Sequence, residues 1–146
     1  MKANELMTSK PACVTATDPV QRAAQLMAEH DCGCLPVVES SNSDRVVGVI
    51  TDRDIALRGV AQGLDNQTMV RDLMSTDLAT CSPDSDVDDV ANMMSERQVR
   101  RVVILNADGG CVGIIAQADL ALAAERDGPV SEQEVARVVE RISHPA

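Results

Sequence analysis

The sequence predicts an α/β protein of mixed α+β layout. Two β-α-β-β-α repeats are expected to pack with pseudo-twofold symmetry, followed by a C-terminal amphipathic helix. The chain of 146 residues aligns with itself, since residues 5–38 match residues 72–105 at 7 of 34 positions and residues 47–58 match residues 112–123 at 6 of 12. A repeat of roughly 60 residues also leaves one face of its sheet to bury, and a second copy can cover that face.

The first half of repeat one predicts a short strand followed by a helix. The strand is expected over residues 13–17, and Asp18 and Pro19 then suit the N-cap and the first helical position. Apolar residues at i, i+3, i+4 and i+7 predict one buried stripe on this helix. The stripe consists of Val20, Ala23, Ala24 and Met27.

The second half of repeat one predicts two strands and a second helix. The strands are expected over residues 35–39 and 45–51, because turn-forming residues occupy positions 40–44 between them. The second helix is expected to begin near Asp52. These elements complete one β-α-β-β-α unit.

Repeat two predicts the same elements in the same order. Strands are expected over residues 78–81, 101–105 and 111–116, with Ser85 as the cap of the first helix and a second helix that begins near Gln117. The first helix again carries one apolar stripe at helical spacing. This stripe consists of Val87, Val90, Ala91 and Met94.

A separate helix is predicted after the second repeat. Gly128 and Pro129 end the preceding helix, and Ser131 with Glu134 forms a capping box. An amphipathic helix of about three turns then follows from the apolar spacing. Its stripe consists of Val135, Val138, Val139 and Ile142. The chain thus divides into repeat one (1–63), repeat two (64–127) and a C-terminal helix (128–146).

Composition and charge exclude several kinds of partner. The chain contains no Phe, Tyr or Trp, so it offers no aromatic platform on which bases of a nucleic acid stack. The 13 Lys and Arg against 23 Asp and Glu give a net charge of −10, which repels phosphate backbones and anionic lipid surfaces. No apolar run suits a membrane span, and residues 1–5 lack the apolar core of a signal peptide. We expect a cytoplasmic protein with five reduced cysteines that binds neither nucleic acid nor membrane.

The sequence shows no catalytic constellation, so we do not expect an enzyme. Cys32 and Cys34, with His30 nearby, could form half of a metal site or a redox pair. A structural zinc site needs four ligands, usually from two such pairs, and the sequence has no second C-x-C or C-x-x-C motif. We therefore interpret these cysteines as small apolar residues at a strand start, and the acidic run over residues 84–89 as anions at a helix N-terminus. No metal and no required cofactor are expected.

Two motifs in each repeat resemble those of a known family. Repeat one has the run Gly48–Asp54 after Cys34–Val38, and repeat two has Gly113–Asp119 after Val99–Val103. Over residues 4–124 the chain is similar to a tandem pair of CBS domains, a Bateman module, and looks closest to short stand-alone CBS-pair proteins of bacteria and archaea, including stress- and hypoxia-response members. The resemblance implies a regulatory module that binds adenosine compounds (AMP, ADP, ATP, S-adenosylmethionine or NAD) and forms a homodimer.

A candidate site lies where the last strand of repeat one meets its second helix. Thr51 and Asp54, spaced Thr-x-x-Asp, fall on the same side of the first helical turn. An ionised carboxylate accepts two hydrogen bonds, which suits the vicinal hydroxyls of a ribose. The alternative is that Asp54 only caps its helix. The resemblance assigns Asp54 to the ribose hydroxyls and Thr51 to ribose or phosphate.

The resemblance also implies residues for the base and the phosphates. The adenine edge is assigned to the backbone around Gly33, Cys34, Leu35 and Pro36. The cations expected to face phosphates are Arg53, Arg100 and Arg101.

Repeat two departs from this pattern. Asp119 matches Asp54, but Ala116 and Ala118 replace the threonine and the arginine, and Val103 replaces the proline. A site there loses a hydroxyl and a cation. The sequence therefore predicts one functional cleft and one weak or empty cleft per chain.

These observations predict a nucleotide-binding regulatory module that signals to an unidentified effector protein by a shift in conformational populations. Two alternatives stay open: a thiol- or metal-responsive stress protein that uses Cys32 and Cys34, and an interaction module with vestigial clefts. The consecutive apolar residues over 55–57 and 120–122 cannot all face one sheet, so a second layer must cover part of them. This, with the resemblance, predicts a homodimer.

Overall fold

The computed structural model describes residues 1–125 and 132–143. The helices are α1 (Ala3–Leu6), α2 (Val20–His30), α3 (Asp52–Asp54), α4 (Val87–Arg97), α5 (Gln117–Glu125) and α6 (Glu132–Ser143). The strands are β1 (Thr8–Ser9), β2 (Val14–Thr15), β3 (Cys34–Ser40), β4 (Ser43–Thr51), β5 (Thr80–Cys81), β6 (Arg101–Leu105) and β7 (Cys111–Ala116). Helix α3 continues as a π-helical turn over Ile55–Gly59 and a 3-10 turn over Val60–Gln62, and a separate 3-10 turn spans Val70–Asp72. The mixed α/β fold with two repeats is confirmed.

The chain forms two compact units. The repeat-one unit contains Pro11–Leu78 and Asp108–Cys111, and the repeat-two unit contains Met1–Lys10, Ala79–Ala107 and the described residues from Val112 onward. The first ten residues therefore belong to the compact unit of the second repeat, although they begin the first repeat in sequence.

The segments that lead into the two repeats occupy equivalent places. In the repeat-two unit β1 pairs antiparallel with β7, with Thr8 opposite Ile114. In the repeat-one unit Ser75 lies opposite Val49, and these two residues are the sequence counterparts of Thr8 and Ile114. Each leading segment thus pairs with the last strand of the other repeat.

Each unit has its own sheet. In the repeat-one unit β2 runs parallel to β3, with Val14 beside Val37, and β3 runs antiparallel to β4. In the repeat-two unit the strand order is β1-β7-β6-β5, and β5 runs parallel to β6. The parallel pairing follows because a helix, α2 or α4, connects the paired strands.

Each unit buries an aliphatic core, as the lack of aromatic residues requires. The core of the repeat-one unit consists of Val14, Val20, Ala23, Leu26, Met27, Leu35, Val37, Ile50, Val70 and Leu73. The core of the repeat-two unit consists of Ala3, Ala79, Val87, Val90, Ala91, Met94, Val102, Ile104, Ile115, Leu120 and Val135. The predicted stripe of α4 is confirmed, but Ala24 of the α2 stripe is exposed and Leu26 is buried instead.

The predicted helix caps are wrong at α2 and α4. Pro19 is the N-cap residue of α2, and the Asp18 carboxylate accepts a hydrogen bond from the Thr15 amide at 2.9 Å. At α4 the hydroxyl of Ser85 accepts from the Ser82 amide at 3.1 Å. Short polar side chains compete for nearby backbone amides, and here both close the turn before the helix rather than cap it.

The C-terminal helix is confirmed over α6, which packs on α4 and α5. Val135 is only 9% exposed and joins the core of the repeat-two unit, whereas Val139 is 37% exposed. The predicted helix-ending Gly128 and Pro129 and the cap Ser131 lie outside the described residues, as do the side chains of Glu134, Val138 and Ile142.

Candidate functional site

Strand β4 ends at Thr51, and α3 begins at the next residue. The Thr51 hydroxyl accepts a hydrogen bond from the Asp54 amide at 3.1 Å, and the Asp54 Oδ2 accepts one from the Thr51 amide at 3.0 Å. This reciprocal pair is a capping box, so both side chains help to begin the helix. The Thr51 hydroxyl hydrogen and the second carboxylate oxygen of Asp54 take no part in it.

Arg58 is a member of this site that the sequence analysis missed. Its Nε lies 3.9 Å from Oδ1 of Asp54, one helical turn away, and its Nη1 donates to the carbonyls of Leu73 and Met74 at 3.3 and 3.4 Å. The Asp54 side chain is 18% exposed and that of Arg58 is 56% exposed. The two carbonyl contacts therefore hold the Arg58 guanidinium beside Oδ1 of Asp54, the carboxylate oxygen that takes no part in the cap. An Asp-x-x-x-Arg spacing on a helix was the available signal.

The start of β3 lies directly beside this junction. Cys34 is opposite Thr51 in the antiparallel pair, and the Asp52 amide donates to the Gly33 carbonyl at 3.0 Å. A Cβ at position 33 would lie 2.9 Å from Oδ2 of Asp52, so glycine keeps the two segments close. The structure thus brings the backbone assigned to adenine next to the residues assigned to ribose.

The predicted site residues differ in what they can present. Cys34, Leu35 and Pro36 are buried, so their backbone and not their side chains can face a ligand. Gly33 is half-buried, and Arg53 is exposed one residue before Asp54.

The equivalent junction of the repeat-two unit has the same backbone and fewer functional groups. The Asp119 Oδ2 accepts from the Ala116 amide at 2.7 Å, and the Gln117 amide donates to the Arg100 carbonyl at 2.8 Å. The counterpart of Arg58 is the buried Ala123. Arg100 is exposed and Arg101 is half-buried. Asp119 therefore caps its helix without a neighbouring hydroxyl or guanidinium at those positions.

The acidic run before and within α4 has structural roles. Asp88 and Asp89 lie in the first turn of the helix, and the Asp86 carboxylate accepts a hydrogen bond from the Lys2 ammonium at 2.7 Å. That bond lowers the pKa of Asp86 and raises the pKa of Lys2.

The structure describes residues 1–125 and 132–143, and these residues lack both a metal-ligand cluster and a membrane-spanning helix. This part of the chain contains no group of three or more His, Cys, Asp or Glu side chains that could hold a metal ion. Nor does any helix in it combine the length and apolarity needed to cross a membrane. Cys32 is exposed, and Cys34 is buried at the start of β3.

Comparison with known sequences identifies the two repeats. The family described as CBS domain matches residues 3–59 and 70–126.

The chain belongs to the CBS domain family.

Two curated CBS relatives span most of the chain. The CBS domain-containing protein YhcV of Bacillus subtilis is 38% identical over 96% of this chain and 94% of its own length. Hypoxic response protein 1 of Mycobacterium tuberculosis is 36% identical over 82% of both chains. The predicted resemblance to stand-alone CBS-pair proteins is therefore confirmed.

Two solved structures of CBS relatives share the fold. A structure of hypoxic response protein I with two coordinated zinc ions has a TM-score of 0.74 and 35% identity, covering 84% of this chain and 98% of its own. A structure of CBSX2 in complex with AMP has a TM-score of 0.72 and 25% identity, covering 86% of this chain and 97% of its own. Zinc and AMP are each ligands of those proteins.

Proposed function

We propose that this chain is a regulatory CBS pair whose repeat-one unit binds an adenosine nucleotide such as AMP. The observation that carries the proposal is the junction at Thr51: the hydroxyl and carboxylate that suit a ribose lie beside the backbone of Gly33 and Cys34, which can recognise the edge of a base. The AMP complex of CBSX2 supports this ligand class.

The groups left over by the capping box define the ribose contact. Oδ1 of Asp54 can accept a hydrogen bond from a ribose hydroxyl, and the Arg58 Nε lies 3.9 Å from that oxygen. The Thr51 hydroxyl can donate to a second ribose or phosphate oxygen while its own oxygen keeps the cap. In this proposal the cap positions the ligand contacts and is compatible with them.

The remaining parts of the ligand have assigned partners in the proposal. Adenine is held by backbone groups of residues 33–36, because the side chains there are buried. The exposed Arg53 offers a cation to the phosphate. Arg100, Arg101 and Asp119 would serve a second, weaker site on the repeat-two unit.

Regulation then follows from differential affinity. A nucleotide that binds one arrangement of the protein more tightly shifts the population toward it, and one with equal affinity for both arrangements shifts nothing. The partner that reads this shift is an effector protein, and the chain itself acts without catalysis. We place the protein in the cytoplasm.

A homodimer is part of the proposal. Leu57, Val60 and Leu64 are 49%, 73% and 46% exposed in the repeat-one unit, and Leu122 is 52% exposed in the repeat-two unit. Such apolar side chains favour a covering surface. Light scattering at micromolar concentration should give twice the mass of the chain, and a monomer would refute this part.

The function is tested by identifying the ligand. The purified protein is denatured, any released nucleotide is identified by mass spectrometry, and AMP is titrated into ligand-free protein by calorimetry. We expect an adenosine compound and one strong site per chain. If no adenosine compound is released or bound, the clefts are vestigial and the protein is an interaction module. Stoichiometric zinc that disappears in a Cys32→Ser/Cys34→Ser variant would instead favour a metal-responsive protein.

A further inference from the structure

Two cysteines that are far apart in sequence lie side by side in the repeat-one unit. A side-chain hydrogen bond between Cys111 and Cys13 lowers the pKa of the Cys13 thiol. Cys13 also donates to the carbonyl of Pro11, with 3.3 Å between sulfur and oxygen. Both cysteines are half-buried reduced thiols, within the part of the chain that the structure describes.

The backbone explains why these two residues meet. Thr8 and Ser9 lie opposite Ile114 and Gly113, and the Lys10 amide donates to the Val112 carbonyl at 3.2 Å. Pro11 and Cys111 are the next residues along these two paired segments, so the pairing brings them close together. The Cys13 thiol turns back onto the Pro11 carbonyl, and it lies near enough to Cys111 for the two side chains to interact.

The other side of the pair is also fixed. The Val46 amide donates to the Gly109 carbonyl at 3.2 Å, and Gly110 lies opposite Arg45. Residues 108–111 are thus held against β4 within the same unit. The two thiols are therefore neighbours through backbone pairing on both sides, which favours bond formation between them over reaction with a distant thiol.

We propose that Cys13 and Cys111 form a thiol–disulfide modification site that responds to peroxide. The Cys13 thiolate attacks one peroxide oxygen, the O–O bond breaks, and Cys13 becomes a sulfenic acid. The hydroxide that leaves takes up the proton that the Cys13 thiol released, and one water forms. The Cys111 thiolate then attacks the Cys13 sulfur, the S–O bond breaks, and the hydroxide leaves as a second water with the proton of Cys111. The two thiols lose two electrons, and hydrogen peroxide gains them.

The surroundings assign the attacking role to Cys13. The hydrogen bond with Cys111 lowers the pKa of the Cys13 thiol, which outweighs the opposing effects of burial and of Asp44. A lower pKa gives more thiolate, the form that reacts with peroxide.

Cys81 offers a matched control within the same chain. It is half-buried like Cys13, but burial raises the pKa of its thiol. The Cys81 thiol donates to the thioether sulfur of Met93 at 3.8 Å. A thioether cannot form a disulfide. Cys81 should therefore react more slowly and stop at the sulfenic or higher oxidation states.

The test uses the full-length protein and hydrogen peroxide as the probe. The protein is treated with a small excess of peroxide, alkylated, and examined by intact mass and by peptide mapping without reduction. We expect single chains, not disulfide-linked pairs of chains, that have lost two hydrogen masses and two alkylation sites, with the Cys13 peptide linked to the Cys111 peptide. Dithiothreitol should restore both thiols. Because the disulfide closes the long loop between Cys13 and Cys111, it should also raise Tm, by on the order of 10 °C.

Single substitutions decide the outcome. Cys13→Ser and Cys111→Ser should each abolish the crosslink, and Cys81→Ser should leave its yield and rate unchanged. Cys13 should be alkylated or oxidised faster than Cys81 in the parent. A crosslink between other cysteines, a disulfide between two chains, or thiols 13 and 111 that both stay reduced while Cys81 oxidises would overturn the proposal. Nucleotide binding is measured separately, so failure here leaves the proposed function standing.

Discussion

The two strand-to-helix junctions share a backbone and differ in their side chains. At both junctions an aspartate accepts from the amide three residues earlier, Asp54 from Thr51 and Asp119 from Ala116. At both, the first helical residue donates to the carbonyl of the residue just before the neighbouring strand. What is shared is therefore structural: the aspartate begins a helix in either repeat, whether or not a ligand binds.

What differs between the junctions is the set of groups around the aspartate. Repeat one adds the Thr51 hydroxyl, Arg53 and Arg58, whereas repeat two has alanine at all three equivalent positions. Repeat one also has Gly33 where repeat two has Arg100. An aspartate at this junction is therefore weak evidence for a ligand site, and the side chains around it indicate whether a ligand binds.

The largest effect is expected from exchanging those neighbours. Thr51→Ala with Arg53→Ala copies repeat two into repeat one and removes two polar contacts, one of them charged. At roughly 1–3 kcal/mol for each lost bond, AMP affinity should fall about a hundredfold. The measurement is calorimetric titration of AMP, with circular dichroism to show that the fold is kept.

The reciprocal change tests the repeat-two junction. Ala116→Thr with Ala118→Arg should strengthen AMP binding at the repeat-two junction and raise the stoichiometry above one per chain. If the first variant binds AMP like the parent and the second gains no AMP affinity, the side chains around the aspartate do not explain the difference between the two junctions.

A smaller effect, on stability, is expected at the glycines where the leading segments cross. A Cβ at Gly48 would lie 2.8 Å from both the Met74 sulfur and the Ser75 backbone oxygen, whereas the three atoms nearest to a Cβ at Gly113 all belong to the Met7 side chain. Gly48→Ala should lower the free energy of unfolding by roughly 1–3 kcal/mol, and Gly113→Ala should cost less because a side chain moves more easily than backbone. Urea unfolding measures both free energies, and a larger loss of stability for Gly113→Ala than for Gly48→Ala would contradict this prediction.

The smallest effect is expected for the exposed ion pair between Lys2 and Asp86. The pKa of Asp86 is held below its usual 3.8 in the folded protein, so the stabilisation is present above that value and is lost as the pH falls through the lowered pKa. The pKa of Lys2 is raised above 10.5, so the same contribution is lost again as the pH rises through it. Lys2→Met should reduce Tm slightly at neutral pH, with the difference vanishing in acid. If the Tm difference between Lys2→Met and the parent grew in acid, the ion pair would not be its cause.

Much of the fold was predictable because the sequence contains two copies of the same β-α-β-β-α repeat. The strands β6 and β7 and the starts of α3 and α5 match the prediction, since period and turn signals agree in both copies. The crossing of the leading segments could not be predicted, because aligning the chain with itself shows which segments are equivalent and not which strand each one pairs with. The caps were wrong because Asp18 and Ser85 bind amides before the helix.

The candidate site was predictable in part for the same reason. The Thr-x-x-Asp spacing located the junction, and the structure adds Gly33 and Cys34 as neighbours of Thr51. Arg58 was missed because its contacts to Leu73 and Met74 depend on the path of the chain after the helix. The meeting of Cys13 with Cys111 depends on strand register, whereas sequence spacing drew attention to Cys32 and Cys34.

The most direct test is AMP titration into Asp54→Ala and Asp119→Ala, matched variants that each remove the capping carboxylate of their own helix. Because both lose a capping carboxylate, the difference between them isolates the ligand contact from helix stability. We predict that Asp54→Ala weakens AMP binding at least tenfold, as loss of a hydrogen bond to a charged group worth roughly 1.5–3 kcal/mol requires, while Asp119→Ala leaves the strong site unchanged. Equal AMP affinities for Asp54→Ala and the parent would contradict the account.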